Sequence, residues 1–366
     1  MGDVIEPLEA AKKKDFDPSN MAEVMLSFPD QLRHAISQEM SLQADFRQIC
    51  ICGMGGSAIG GDIIADHCFS HSEKPVFVVR GVHLPRWACQ DTLVLVTSYS
   101  GNTRETLELF HQAHSCGCQI IGVSSGGQLE ELCREHGLYH VKVPGGLQPR
   151  CALGYMLGYL SRILECLGMP HCRQEVERCI PLLQELREDL GPQNPESPVR
   201  LLAQRTHHHI PVFYSYTYMA SSALRWKNQV NENSKRIAFS GTMPEFNHNE
   251  LVGWVEGVKG SQCLPIFLYD PDAPPLLKDM MDASLEALQD NGVALEVVNI
   301  QGDTVMEKNL RSVMHADFYS LYSAFLSNTD PMPVRSIVSL KERLQGGRGR
   351  KSEDRSRTKA KKSKRS

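Results

Sequence analysis

From Gln48 onward, short apolar runs alternate with longer stretches of mixed polarity. "QICICGMGG", "PVFVVRG", "TLVLVTSYS", "QIIGVSSGG" and "LYHVKVPGG" are built on aliphatic residues, and four of the five close on Gly or Ser clusters. Apolar runs this short, separated by segments of helical period, predict βαβ units with parallel strands covered on both faces. In such sheets ligands bind beyond the carboxyl ends of the strands, where the Gly and Ser clusters fall. "ALGYMLGYLSRILECLGM", Ala152 to Met169, then predicts a long apolar helix linking two halves, and Pro181, Gly191, Pro192, Pro195 and Pro198 punctuate the next stretch. A second series, "IPVFYSY", "RIAFSGTMPEFNHNE", "CLPIFLY" and "VALEVVNI", predicts a shorter α/β half of the same class. A last helix over "PVRSIVSLKERLQ" places Val334, Ile337 and Leu340 on one face and stops at Gly346 and Gly347.

The pattern therefore predicts an α/β protein of two doubly wound parallel-sheet domains with flanking helices. An N-terminal segment covers 1–19, a first domain 20–170, a second domain 171–346, and a tail 347–366. The tail "GRGRKSEDRSRTKAKKSKRS" carries ten Lys or Arg against Glu353 and Asp354 and has no apolar residue beyond Ala360. It has nothing to pack and is expected to be disordered. Contact with nucleic acid or a localisation signal are alternatives to a solvated tail that does neither. Because the formal net charge of the whole chain is −4, the rest of the chain is distinctly acidic.

With 366 residues, 41% of them hydrophobic, the chain can bury a sizeable core. It contains no run of eighteen apolar residues. "MGDVIEPLEA" is acidic without a signal-peptide core, and Glu6 stands where a myristoylation signal requires Ser or Thr. The expectation is a cytoplasmic protein with no membrane partner. Its twelve cysteines lie scattered through apolar runs and form no C-x-x-C pair, which suits reduced, buried thiols better than zinc or redox sites.

The chemistry concentrates at two strand-to-helix turns. In "VLVTSYSGNTRETLELF", Val94 to Phe110, a buried strand runs into Ser98, Ser100, Gly101, Asn102 and Thr103, and a helix begins near Thr103 with Leu107 and Phe110 on one face. Unpaired N–H groups at a helix start, together with several hydroxyls, suit an anion such as phosphate; the plainer alternative is that these residues only turn the chain and cap the helix. "ICGMGGSAIGGD" repeats the arrangement with Gly53, Gly55, Gly56, Gly60 and Gly61 around Ser57. From Gly53 to Ala58 it also fits a relaxed dinucleotide fingerprint, but the next strand ends in Arg80 and not in the carboxylate that would hold a ribose. Two hydroxyl-bearing anion loops argue instead for one small phosphorylated ligand, with no cofactor.

The pair "GMGGSAIGGD" and "SYSGNTRETL" resembles the sugar isomerase (SIS) domain proteins, and specifically the bifunctional phosphoglucose/phosphomannose isomerases. The resemblance continues through "LQPRCALGY", "NENSKRIAFSGTMPEFNHNELVGW" and "DPMPVRSIVSLKERL", over about residues 20 to 345. It implies two SIS-type domains and an aldose–ketose isomerase that interconverts glucose 6-phosphate or mannose 6-phosphate with fructose 6-phosphate. Gly56, Ser57, Ser98, Ser100 and Thr103 would hold the sugar phosphate. Glu232 would move a proton between C2 and C1 through a cis-enediol, a transfer that a positioned carboxylate performs well. His248 would open the sugar ring, Arg150 would stabilise the enediolate oxygen, and Lys341 would assist ring opening. The resemblance also implies a metal-free homodimer with the active site between subunits and His248 serving the neighbouring one. Met332 stands where relatives often carry a smaller or hydroxylated residue, which bears on whether both C2 epimers are accepted.

Other readings of the same residues exist. Glu232 alone would be a surface charge, Lys341 a solvated lysine on an amphipathic helix, and His248 a turn histidine or a metal ligand with Glu245 or Glu250. The triple His207–His209 is expected to be a loop before "IPVFYSY", because adjacent side chains on an extended segment diverge. A sugar-phosphate-binding regulator of the same fold is the principal functional alternative, although the segment before residue 48 leaves little room for a helix-turn-helix domain. Amidotransfer would need an N-terminal cysteine nucleophile that "MGDV" lacks. A base and a ring-opening acid together favour catalysis.

Overall fold

The computed structural model describes residues 17–257 and 262–344. The chain divides into two compact units, Met1–Pro331 and Met332–Ser366. In the first unit the helices are α1 (Met21–Leu26), α2 (Phe28–Ile36), α3 (Gly56–His71), α4 (Arg104–Ser115), α5 (Gly127–Glu135), α6 (Leu153–Cys166), α7 (His171–Leu190), α8 (Pro198–Thr206), α9 (Ala220–Gln229), α10 (Glu250–Val255), α11 (Pro275–Asp290) and α12 (Val305–Leu326). The second unit contributes a helix over 335–344, α13. The basic tail lies outside the described residues, and none of the described helices is long and apolar enough to cross a membrane.

Two all-parallel sheets organise the first unit. Strands β1 (Gln48–Cys52), β2 (Val76–Val79), β3 (Thr92–Thr97), β4 (Gln119–Ser124) and β5 (Tyr139–Lys142) are arranged in the order β2-β1-β3-β4-β5. All six positions of β3 are buried, as a strand with helices on both faces requires. Cys50, Cys52, Val94, Val96 and Ile120 face Leu109 and Phe110 of α4 and Leu129 and Leu132 of α5. On the opposite face α3 packs so closely that a Cβ on Gly61 would stand 2.7 Å from the Ile51 side chain. Gly60 and Gly61, which the sequence grouped with the loop after β1, therefore serve helix-on-sheet packing inside α3. The chain goes from β1 to one side and then crosses to β3 on the other, so the topological switch point falls between β1 and β3.

The second sheet, β6 (Ile210–Tyr216), β7 (Phe239–Met243), β8 (Cys263–Tyr269) and β9 (Glu296–Asn299), has the order β7-β6-β8-β9. Tyr214, Tyr216 and Phe267 pack on one face with Phe246 and with Met281 and Leu288 of α11. Phe213 points the other way, with ring centroids 5.2 Å from Trp226 of α9 and 5.8 Å from Tyr319 of α12. Pro181 differs from its expected punctuating role. It lies on the exposed side within α7, where burial of Val176, Cys179, Ile180 and Leu183 on the opposite side holds the helix together despite the missing N–H.

The halves meet through α3, α9 and α12. Asp66 of α3 accepts from the Ser221 N–H at 3.1 Å and from Asn309 Nδ2 at 3.3 Å. Burial pushes its carboxyl up to about 7, against the hydrogen bonds from Ser221 and Asn309. Its unfolded value is about 3.9. Between these values the folded chain holds a proton that the unfolded chain has released, so the stability contributed by Asp66 is present in acid and lost as pH rises through about 7. Asp66→Asn should flatten that slope and make the protein relatively more stable at alkaline pH; urea unfolding at a series of pH values reads this directly, and an unchanged slope would count against it.

Candidate active site

Two strand-to-helix loops meet at the switch point. Gly53–Gly55 leads β1 into α3, with Ser57 in its first turn, and Ser98–Thr103 leads β3 into α4 with Thr103 at the N-cap. Ser57 Oγ accepts the Tyr99 N–H at 2.9 Å, which ties one loop to the other. Thr97 Oγ1 reaches the carbonyls of Cys52 at 3.0 Å and Ser57 at 3.2 Å beneath them. Ser98 is fully buried and donates to Thr103 Oγ1 at 3.0 Å, so it orients the cap, while Ser100 and Thr103 reach the surface. The starts of two helices thus converge with hydroxyls between them, an arrangement that attracts an anion through N–H donors and aligned dipoles.

Tyr99 holds this edge together and was not singled out from sequence. Its hydroxyl donates to the Pro144 carbonyl at 2.9 Å and accepts the Leu147 N–H at 3.0 Å. Its carbonyl accepts from Ser125 N at 2.8 Å and Ser125 Oγ at 2.7 Å. One residue therefore joins the loops after β1, β3, β4 and β5. Gly101, at φ 67°, allows the closest approach: a Cβ there would lie 1.7 Å from the Gly126 carbonyl oxygen.

The loop after β5 delivers Arg150 on the turn Pro149–Cys151. A Cβ on Gly56 would be 2.7 Å from the Arg150 nitrogen, so the first turn of α3 and this turn touch backbone to backbone. The Arg150 side chain is only 2% exposed. Its Nε donates to Asn233 Oδ1 at 2.7 Å, Nη2 donates to the Pro331 carbonyl at 3.0 Å, and Nη1 stands 3.6 Å from Glu232 Oε2. Glu232, 27% exposed, and Asn233 both lie on the π-turn Val230–Ser234, which closes on Lys235 in the left-handed region at φ 56°. Lys235 Nζ donates to the carbonyls of Glu232 at 2.8 Å, Asn233 at 3.1 Å and Pro331 at 2.8 Å, clamping the turn onto the chain at Pro331. Burial, and after it the Arg150 charge, push Lys235 down to about 8.

Behind these residues stands α12. Arg225 donates to Asp317 at 2.9 and 2.8 Å and to the Arg150 carbonyl at 3.0 Å. Asn233 Nδ2 donates to Ser320 Oγ at 2.9 Å, which donates to the Asp317 carbonyl at 2.7 Å. Burial pushes the Asp317 carboxyl up, and the Arg225 guanidinium opposes that shift.

The structure therefore brings Gly56, Ser57, Arg150 and Glu232 together, with Ser98, Ser100 and Thr103 on the adjoining loop. His248 lies apart in sequence, exposed at the end of the turn Glu245–His248 beyond β7. Lys341 belongs to the second unit and is exposed on α13. Glu250 accepts the Tyr214 hydroxyl at 2.5 Å, and His207–His209 form the turn before β6. Among the described residues no group of three or more His, Cys, Asp or Glu is assembled to hold a metal ion. Arg80 pairs with Asp62, so its charge is already engaged.

Comparison with known proteins bears on this geometry. The family described as the bacterial phospho-glucose isomerase C-terminal SIS domain matches residues 196–344. The chain is 36% identical over 301 residues to the bifunctional phosphoglucose/phosphomannose isomerase of Aquifex aeolicus (strain VF5), across 82% of this chain and 91% of that one. It is 33% identical over 337 residues to the enzyme of the same name from Caldicellulosiruptor bescii, across 88% and 98%. A solved glucose-6-phosphate isomerase like protein from Thermus thermophilus shares the fold at a TM-score of 0.61 and 17% identity, over 93% of this chain and 99% of that one.

Tyr99→Phe tests the tie between the loops. It leaves the Leu147 N–H and the Pro144 carbonyl without their shared partner and should lower stability by about 1–3 kcal/mol. Chemical denaturation measures the loss, and limited proteolysis should show earlier cutting between residues 143 and 149; a variant as stable and as resistant as wild type would contradict the assignment.

Proposed function

The chain belongs to the bifunctional phosphoglucose/phosphomannose isomerase family, and on that basis we propose that it interconverts glucose 6-phosphate and mannose 6-phosphate with fructose 6-phosphate by proton transfer between C2 and C1. The observation that carries the proposal is the Glu232 carboxylate 3.6 Å from a buried, fully oriented guanidinium, beside a hydroxyl-lined anion cradle. In the reaction Glu232 removes the C2 proton, the electron pair moves toward the carbonyl at C1, and negative charge builds on O1. Arg150 meets that charge without having to reorient, because Asn233 and the Pro331 carbonyl already hold its guanidinium. Transfer of the hydroxyl proton from O2 to O1 then shifts the charge to O2, and as the C2 carbonyl forms, return of the proton to C1 from the same carboxylate yields the ketose. Glucose and mannose 6-phosphate give the same enediol, so one base serves both once either C2–H can be presented to it. Met332 is the residue to test for that freedom.

The phosphate lies against Gly56, Ser57, Ser100 and Thr103, with Ser98 orienting Thr103. His248 opens the ring and Lys341 assists. We assign His248 to the site of a second subunit in a homodimer. Support comes from the surface around the edge strand β7: beside Glu232 and His248 in sequence, Ile237 before the strand is 64% exposed, Phe239 on it 53% and Val252 on α10 54%. Exposed apolar side chains beside an open strand edge favour coverage by another chain. Residues 20–170 and 171–346 would then be two SIS-type domains, the first supplying the cradle and the second the base.

A coupled assay for fructose 6-phosphate, run with chelator and separately on each aldose phosphate, tests the proposal. Wild type should turn over both, and Glu232→Gln should lose about 10²- to 10⁴-fold in kcat. Folded protein that binds the sugar phosphates without turnover would point to a regulator instead. Mixing Glu232→Gln with His248→Ala chains should restore part of the activity through hybrid dimers; no recovery despite demonstrated subunit exchange would reject the shared site.

A further inference from the structure

At the end of α3 remote from the cradle, two free thiols face each other. Cys68 Sγ and Cys172 Sγ are 3.6 Å apart and hydrogen-bonded, the first in the last turn of α3 and the second in the first turn of α7. Both border a cavity of about 340 Å³ that is also lined by His67, His71 and His171. Cys68 follows Ser57 by eleven residues on this helix, so at about 1.5 Å per residue it lies about 16 Å along the axis from the turn that carries Ser57. Among the described residues the two ring nitrogens of His67 have no hydrogen-bond partner although the residue is 1% exposed.

We propose that Cys68 and Cys172 form a redox-active dithiol, a modification site for small hydroperoxides that reach it through this cavity. The thiols need to close only from 3.6 Å to the length of a disulfide, about 2.05 Å. The hydrogen bond from Cys172 holds the Cys68 thiol below its usual value even though burial opposes it, and the same bond together with burial pushes Cys172 up. Cys68 is thus the attacking sulfur. By contrast, burial pushes Cys50 and Cys179 up to about 12 and Cys118 and Cys133 up to about 11.

The Cys68 thiolate attacks one peroxide oxygen, the O–O bond breaks, and the departing hydroxide leaves as water with the proton lost by Cys68. The resulting sulfenic acid is attacked by Cys172; the S–O bond breaks, the S–S bond forms, and hydroxide leaves with the Cys172 proton as a second water. Two electrons pass from the sulfurs to the peroxide. The bond links positions 104 apart in sequence, which restrains the unfolded chain and should raise Tm by several degrees.

The test is graded hydrogen peroxide on the full chain, followed by alkylation under denaturing conditions and peptide mapping without reduction. A Cys68–Cys172 linked peptide, two hydrogens lighter than its parts, should appear before oxidation at the exposed Cys89 and Cys116. Dithiothreitol should reverse both the link and the rise in Tm. Cys68→Ser and Cys172→Ser should each abolish the link, and the wild-type map decides the matter if either variant fails to fold. Cys68 and Cys172 still alkylatable after Cys89 and Cys116 have oxidised would overturn the proposal. So would stoichiometric zinc retained by the pair and released only on unfolding, which would make the cavity a metal site.

Discussion

Keeping a guanidinium ionised inside the chain is the constraint on which the site depends. Burying a charge such as that of Arg150 costs several kcal/mol unless its N–H groups find acceptors. Asn233, the Pro331 carbonyl and Glu232 surround it at 2.7, 3.0 and 3.6 Å. None of these positions is held by its own element alone. Asn233 is set by Ser320, Ser320 by the Asp317 carbonyl, and the Arg150 carbonyl by Arg225, which is itself locked onto Asp317. The long helix α12 is therefore the frame on which a residue from the first half and a π-turn from the second are brought into register. A cation fixed from several sides needs no rearrangement when charge develops beside it, which is the electrostatic advantage of a preorganised site.

The two sheets share a topology and differ in what their switch points hold. Between β1 and β3 the loops carry Gly, Ser and Thr, and the two helix starts have no side-chain cap. Between β6 and β8 the corresponding edge holds Asp270, fully buried, accepting from Tyr218 Oη at 2.6 Å and Lys308 Nζ at 2.7 Å. A buried carboxylate repels an incoming anion and keeps the Tyr218 hydroxyl and the Lys308 ammonium, the donors there, engaged with itself. The same order of the first four strands thus yields a hydroxyl-lined loop edge in one half and a sealed structural ion pair in the other. Chemistry is a property of the loops, and the fold supplies only their location.

Much of this was legible in the residues themselves. The apolar runs marked all nine described strands: β1, β3, β4, β6 and β8 are short continuous apolar runs buried on both faces, and the partly exposed β2, β5, β7 and β9 were marked by their place in the same alternation with helical stretches. That the Gly, Ser and Thr clusters fall on two strand-to-helix turns was legible because such residues directly after an apolar strand mark a turn and a helix start. Tyr99 was not, since one aromatic among the hydroxyls carries no periodic signal and its five bonds go to loops far away in sequence. Asp317 and Ser320 were hidden for the same reason on a helix buried almost all round, and Gly60 and Gly61 were grouped with a loop because composition cannot distinguish a close turn from close helix packing.

Neighbouring residues alone were enough for the parallel α/β architecture, the edge on which the Gly, Ser and Thr loops fall and the residue types available there, because strand burial and turn chemistry are local properties written into adjacent positions. The family motifs added the candidate roles of Arg150 and Glu232. Long-range packing was needed to bring Arg150 and Glu232, more than eighty positions apart, to 3.6 Å from each other, to turn Ser98 inward in support of Thr103, and to clamp the turn between them with Lys235. Those outcomes depend on how α12 packs between the halves, and packing across that distance leaves no trace in any single stretch of chain.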